Sequence, residues 1–520
     1  MKEEIKLAAL AKDSDVADEA ISGQHRVSLL RQMPTDEALQ LVPEDISRKY
    51  NAIPLALQHG NLIVAMANPE DVLAIQALSA LTKMRIEPVS AAVDDVREAI
   101  EVNYRGLTNI IEQFNITLPG VDIPERVSVE TGADAPVTRA LNLIIEEAIK
   151  ARASDVHIEP EEGRVRIRYR IDGRLHEVLS LPLSSNIPLI SRIKVLANMN
   201  IADYRRPQDG QFQVKAGGRN IDVRVATTHT ANGEMAVLRL LDKSSAALSL
   251  SQLGFLPESQ AKYEQMLKSR FGMILIGGPT GAGKTTTLYA SVNSLDKVGR
   301  HIITIEDPVE YRFESVNQMQ VNEQARVTFA NGLRAILRLD PDVILVGEIR
   351  DAETAKIAIQ AALTGHLVLS SVHANDTVGV LFRLVNLGVE PFLICSAVIG
   401  IVVQRMVRRV CPHCAKLSPV PVSEEIAYYQ AVGEKRTSFT YGSGCRACVN
   451  TGYLGRTGIF EILSMTNEIR QQLLSGTSAS EIRAQALKQG LITLTTDGML
   501  KAKMNITTPS EVLRNAYSID

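Results

Sequence analysis

The 520-residue chain contains no tryptophan, and aromatic residues make up only 4% of it. Single-strand nucleic-acid binding rests on aromatic stacking platforms, for which there is little material here. Charge of neither sign predominates: 56 Lys and Arg stand against 59 Asp and Glu, a formal net charge of −3. No global field therefore draws the chain onto nucleic acid or anionic lipid, and no nucleic-acid partner is expected. Long apolar runs are missing as well. The most apolar stretch, Pro391 to Val403, stops at Gln404 and Arg405, short of the roughly 18–20 residues of a membrane span; it reads as a buried helix. The start, Met1-Lys2-Glu3-Glu4, leads into no apolar signal segment. The expectation is a cytoplasmic chain with no direct membrane span, peripheral to a membrane only through partners.

Cysteine is scarce, five residues in all, yet four of them form Cys411-x-x-Cys414 and Cys445-x-x-Cys448. Outside an oxidising compartment such pairs point to metal before disulfides. Two such knuckles supply four thiolates, which suits tetrahedral Zn²⁺ in a closed structural site. His413 is a competing ligand, but the four sulfurs already fill the shell. Cys395 lies in the apolar run and reads as a small core residue.

What is present is an ordinary globular balance, 45% hydrophobic and 22% charged, on a chain long enough for three or more domains. Residues 1–41 carry no assignable pattern. From Val42 to about 105 a small α/β module is predicted, with strands at Leu62–Met66 and Arg85–Val89. Its helix runs from Val72 to about Leu81, capped by Asn68, and a second helix covers Val93 to Tyr104. Residues 106–135, with Pro119, Gly120, Pro124 and Gly132, read as a linker. A mixed lobe is expected over 136–245. In it Val137, Leu141, Ile144, Ile145 and Ala148 share one helical stripe. Arg164 to Arg170 alternates strictly before an Asp172-Gly173 hairpin turn. The four arginines of that strand make either a solvated face or one turned to phosphate or a partner. From 246 to 410 strands alternate with helices, as a parallel α/β sheet requires. A cysteine insert over 411–455 and a helical region over 456–520 follow.

The chemistry is concentrated in the α/β segment. The apolar strand Met273–Ile276 runs into Gly278-Pro279-Thr280-Gly281-Ala282-Gly283-Lys284-Thr285, and then into helix-forming Thr286-Thr287-Leu288. This is a Walker A sequence in its strand–loop–helix setting. Its glycines let backbone N–H groups wrap ATP phosphates at a helix N-terminus, Lys284 reaches the β/γ-phosphates, and the Thr285 hydroxyl ligands Mg²⁺. Acids close two further strands, Glu306 after His301–Ile305 and Glu348 after Val343–Val346 and Gly347. Acids at the C-terminal ends of parallel strands face the ligand crevice, where they hold metal or orient the attacking water. Both are expected on one water, Glu348 from the strand beside the P-loop strand. Gly347 stands where a common Walker B has aspartate. His366 and His373 flank one more strand, and read as γ-phosphate sensors.

Together these motifs resemble the type II secretion and type IV pilus assembly ATPases. Glu306-Asp307-Pro308-Val309-Glu310-Tyr311 is similar to their Asp box, Leu339 through Gly347-Glu348-Ile349-Arg350-Asp351 to their atypical Walker B, and Thr364-Gly365-His366 through His373-Ala374-Asn375-Asp376 to their His box. The resemblance runs from about residue 42 to 515. It implies a homohexamer with a RecA-like ATPase lobe, and catalytic arginines from the N-terminal lobe, here Arg224 and Arg239. It also implies interface arginines at Arg334, Arg338 and Arg350. The implied partners are an inner-membrane platform protein and a cytoplasmic docking protein of a pilus or secretion machine. Relatives that bind cyclic di-GMP through the N-terminal module carry an Arg-Leu-Gly motif that residues 1–40 lack, so that ligand is not expected. A nucleic-acid translocase or conjugation-type ATPase on the same core is the alternative.

Overall fold

The computed structural model describes residues 34–58, 60–104, 136–216, 219–242 and 248–516. The unpatterned residues 1–33, the linker at 106–135 and the lobe boundary at 245–246 lie outside the described residues. Two units divide at Arg105, and each is described by itself.

In the first unit, β-branched and apolar runs bounded by turns give β1 (Ala52–Gln58), β2 (Asn61–Met66) and β3 (Arg85–Ser90), paired antiparallel and then parallel. The period of two sends Leu62, Val64 and Met66 to one face and Ala65 to the other. Leu78 of α3 (Val72–Thr82) covers the first face, and Val96 and Ile100 of α4 (Val93–Asn103) the second. The unit starts earlier than Val42. Helix α1 (Asp36–Leu41), capped by Thr35, buries Ala38 and Leu39, and α2 (Glu44–Tyr50) follows. The cap of α3 is Asp71, which accepts from Ala74 N–H at 3.1 Å, not Asn68, whose side chain closes a turn onto Glu70 N–H at 3.3 Å. Three residues lie between Asn68 and the helix, too many for a cap to reach the first turn.

The second unit opens with α5 (Pro136–Lys150), whose apolar stripe Leu141, Ile144, Ile145 and Ala148 is fully buried. It packs on an antiparallel sheet of six strands in the order β6-β5-β4-β9-β8-β7. These are β4 (Ala153–Glu161), β5 (Arg164–Ile171), β6 (Arg174–Pro182), β7 (Gln208–Ala216), β8 (Arg219–Thr230) and β9 (Gly233–Asp242), with α6 (Asn186–Leu196) alongside. Asp172 (φ 49°) and Gly173 (φ 86°) make the β5–β6 turn with both residues left-handed, as a type I′ hairpin requires. The β5 arginines find acids within their own lobe: Arg164 pairs with Glu161 and Glu177, and Arg166 and Arg168 pair with Glu159. Their charge is therefore compensated within the lobe.

The second sheet has seven strands in the order β12-β11-β13-β14-β10-β15-β18. They are β10 (Gly272–Gly277), β11 (Ile302–Glu306), β12 (Asn317–Gln320), β13 (Val343–Val346), β14 (Leu367–Val372), β15 (Val398–Val410) and β18 (Tyr453–Ser464). All neighbours are parallel except β15 and β18. Strands β10, β11, β13 and β14 are buried along their whole length, because helices lie on both faces. These helices include α7 (Pro257–Leu267), α8 (Lys284–Ser294), α9 (Phe329–Ile336), α10 (Ala352–Leu363) and α11 (Thr377–Asn386).

Two expectations are corrected here. The apolar stretch 391–403 is not one buried helix: α12 (Pro391–Ala397) ends where Val398, Ile399, Ile401, Val402 and Val403 begin β15. Branching at Cβ favours strand over helix. The region from 456 is not helical at its start either, since β18 continues the sheet to Ser464 before α14 (Asn467–Leu474), α15 (Ala479–Lys488), α16 (Leu494–Lys503) and α17 (Pro509–Ala516). Between β15 and β18 the cysteine insert folds as β16 (Ala415–Pro419), α13 (Val422–Val432) and β17 (Ser438–Gly442).

The C-terminal helices are held to the sheet by buried charge. Arg408 of β15 donates through Nη2 and Nε to the two Glu511 oxygens of α17 at 2.8 and 3.1 Å, and its guanidinium lies 3.9 Å from the Tyr453 ring centroid. Glu511 is 3% exposed, and the Arg408 guanidinium holds its carboxyl below the usual range against the opposing effect of burial. Removing one member of such a pair leaves the other charge buried and unmet. Glu511→Ala is expected to destabilise the chain by about 3–5 kcal/mol, read by urea unfolding; a loss under about 0.5 kcal/mol, the range of ordinary surface substitutions, would show that the pair does not hold α17.

Candidate nucleotide site and metal cluster

Strand β10 delivers the phosphate loop to the C-terminal edge of the sheet. Gly278 (φ 149°), Gly281 (φ 77°) and Gly283 (φ 87°) take backbone conformations that side chains resist. A Cβ on Gly278 would also stand 2.7 Å from the Gln404 carbonyl oxygen. Gly283 caps α8, so the helix N-terminus opens into the loop. Lys284 Nζ arches over it, donating to the carbonyls of Gly278 at 2.8 Å and Pro279 at 3.0 Å. Pro279, Thr280, Gly281 and Thr285 are exposed, Thr286 is half-buried, and Ala282 is buried against Gln404, whose Nε2 donates to the Ala282 carbonyl at 2.7 Å. Burial lowers the proton affinity of Lys284, with Glu348 opposing and Arg405 adding to the effect.

Glu348 follows β13, and the strand between it and β10 is β14; Glu348 is therefore not on the strand beside the P-loop strand, as the sequence suggested. Gly347 packs tightly on β11, where a Cβ would lie 3.3 Å from the Ile305 carbonyl oxygen. One Glu348 oxygen pairs with Arg350, and the other lies 3.8 Å from His373 Nε2 at the end of β14. Burial, then Lys284, lowers the His373 pKa below the usual histidine value, with Glu348 opposing. His366 sits at the opposite end of the same strand, with its Nδ1 2.9 Å from the Ala361 carbonyl oxygen. A six-residue strand separates the two histidines by about 20 Å, so the pair does not act at one phosphate.

Glu306 is placed differently from expectation. Its carboxylate is 3% exposed and accepts from Tyr289 of α8, from Thr304, and from Gln318 Nε2 at 3.1 Å. Both of its oxygens are thus engaged in tying the P-loop helix to β11 and β12, whereas Glu348 meets Arg350 and His373, so the two acids have different surroundings. Tyr289, absent from the sequence-derived site, also accepts Glu310 N–H at 3.1 Å, and so sets the turn after β11. Nothing in the spacing of Tyr289 on its helix distinguishes it from a core residue.

From the antiparallel sheet, Arg224 and Arg239 are directly opposed across β8 and β9, with Asp155 next in the same row. Arg239 Nε donates to Asp155 at 3.0 Å, and Arg224 reaches across to Glu310 of the Asp-box turn at 3.1 Å. Opposed like charges repel, and here Asp155 and Glu310 supply the compensating negative charge. Arg334 pairs with Glu353 at 2.5 Å, and Arg338 and Arg350 are exposed.

The four cysteines of the insert converge, with all sulfurs within 4.8 Å of one another and all buried. Sγ separations of 3.7 Å (Cys411–Cys445), 3.9 Å (Cys414–Cys448) and 3.6 Å (Cys445–Cys448) far exceed a disulfide. They match the ~3.8 Å edge of a tetrahedron with ~2.3 Å metal–sulfur bonds. Backbone N–H groups of Cys445 and Gly452 donate to Cys448 Sγ at 3.1 and 3.2 Å, a pattern that supports thiolate. The residues fit a four-thiolate metal site.

Residues 130–514 match the family described as type II/IV secretion system protein, and residues 22–109 match the MshEN domain. The chain belongs to the type II/IV secretion ATPase family. The Myxococcus xanthus type IV pilus assembly ATPase PilB is 39% identical over 92% of this chain and 86% of its own. The Dickeya dadantii type II secretion system protein E is 47% identical over 73% of this chain and 76% of its own. The crystal structure of the Legionella pneumophila ATPase DotB shares the fold, with a TM-score of 0.54 at 22% identity over 75% of this chain and 96% of that one. This secretion ATPase hydrolyses ATP, and among its described residues no helix is long and apolar enough to cross a membrane.

The two glutamates of the secretion ATPase should separate by experiment. Glu306→Ala strips a buried acceptor from three donors and is expected to cost about 1–3 kcal/mol per donor left unmet, visible as a lower melting temperature without nucleotide. Glu348→Ala should leave that temperature within a degree or two. Equal melting of the two variants would contradict the buried-post role of Glu306.

Proposed function

We propose that the chain is the ring-forming motor of a type IV pilus assembly or type II secretion machine, acting as a homohexamer on the cytoplasmic side of the inner membrane. The observation that carries this reading is the convergence of Lys284, Glu348 and His373 at one sheet edge, with Arg224 brought to the adjoining turn from the other lobe. Its partners are a platform protein in the membrane and a cytoplasmic docking protein, which the family relationship supports.

In this reading the P-loop N–H groups and Lys284 hold the β- and γ-phosphates, and Thr285 ligands Mg²⁺, which neutralises phosphate charge when bound. Glu348 takes the proton of the attacking water. Arg350 fixes one of its oxygens and leaves the other free beside His373. His373 holds the γ-phosphate by hydrogen bonding. Arg224 and Arg239 stabilise charge on the transferring group, so lobe closure and hydrolysis are one event. Cys411, Cys414, Cys445 and Cys448 would hold Zn²⁺, and these bonds would pin the insert between β15 and β18.

Hydrolysis per chain should rise with protein concentration as rings form and the arginines become ordered. Glu348→Gln should retain ATP binding while losing turnover about 10²–10⁴-fold. Unchanged turnover in Glu348→Gln, measured by phosphate release, would remove the proposed base. Elemental analysis of reduced protein should find about one zinc per chain. Metal-free protein with an intact insert would contradict the zinc assignment.

A further inference from the structure

Neighbouring residues of a strand point to opposite faces of the sheet, and Gln404 and Arg405 of β15 use this to touch two different parts of the nucleotide site. Gln404 is 2% exposed and faces α8. Its Nε2 donates to the Ala282 carbonyl of the P-loop, and its Oε1 accepts from buried Thr287 Oγ1, both at 2.7 Å. Arg405 faces α11. Its Nη2 donates to Asn375 Oδ1 at 3.0 Å, two residues beyond His373 in the turn that leads to α11. The next residue, Asp376, caps α11 by accepting Gly379 N–H at 2.8 Å, and its carboxylate attracts the same guanidinium. The backbone under both side chains is held from two sides, because Val403 pairs with Gly277 of β10 while Gln404 and Arg405 pair with Phe460 and Ile459 of β18.

We propose that Gln404 and Arg405 join the phosphate cradle to the turn carrying His373, with Arg405 a positioning residue for hydrolysis that acts through Asn375 and His373. The proposal rests on the nucleotide-site reading above. The dipeptide links the loop that grips the phosphates to the group that meets the γ-phosphate, so a loop shifted by its ligand shifts the histidine turn with it. Its mode of action predicts loss of rate and not of binding, since Arg405 itself bonds to protein. One of its nitrogens, Nη1, is shielded from solvent and without a hydrogen-bond partner. An unmet buried donor costs stability, so replacing it with an apolar side chain of similar length should not impair folding.

The test is steady-state ATP hydrolysis by the full chain carrying Arg405→Met, Arg405→Lys, His373→Ala, or Arg405→Met with His373→Ala. Arg405→Met is expected to lower kcat about 10-fold while KM changes less than about 3-fold, and Arg405→Lys to recover part of the rate. In the His373→Ala background, Arg405→Met should have no further effect. Asn375→Ala, on an exposed turn, should reproduce the Arg405→Met loss and serves if that variant misfolds. Multiplying losses in the double variant, or a rise in KM at unchanged kcat, would overturn the proposal while leaving the site intact. Undiminished kcat in His373→Ala would instead remove the site reading itself, and the proposal with it.

Discussion

Parallel strands bring their C-terminal ends to the same edge, and the nucleotide site depends on that alignment. Strands β11, β13, β14 and β10 all run one way, so the segments that follow them arrive together: the Asp-box turn, Glu348, His373 and the P-loop. With β14 between β13 and β10, the strand of Glu348 lies about two strand spacings, roughly 9.5 Å, from the strand of the P-loop.

The antiparallel sheet contributes by a different route. Arg224 and Arg239 oppose each other across β8 and β9, an arrangement that costs energy until anions relieve it. Asp155 relieves one and Glu310 the other. The partner of Arg224 belongs to the turn after β11, so the contact between lobes and the nucleotide site share a residue.

Much of this was legible in the sequence, because short motifs with strict backbone demands announce themselves. The P-loop, the Asp172-Gly173 hairpin and the paired cysteines each need particular residues at particular positions, and each was read from spacing alone. Elements decided by tertiary context were harder. The stretch 391–403 is uniformly apolar, and only the branched residues from Val398 onward mark the change from helix to strand. Glu306 and Glu348 look equivalent as acids that end strands. The difference lies in Tyr289 and Gln318, which come from elsewhere in the chain to occupy Glu306. In the sequence Gln404 and Arg405 only end an apolar run, and no local pattern reveals that one faces the P-loop and the next the histidine turn.

The central claim is that this chain hydrolyses ATP at the crevice organised by Lys284. Phosphate release by the purified full-length chain, compared with Lys284→Ala under conditions where both are folded and assembled, tests it most directly. Turnover is expected in the unsubstituted chain and none above background in Lys284→Ala. Undiminished phosphate release by Lys284→Ala would contradict it.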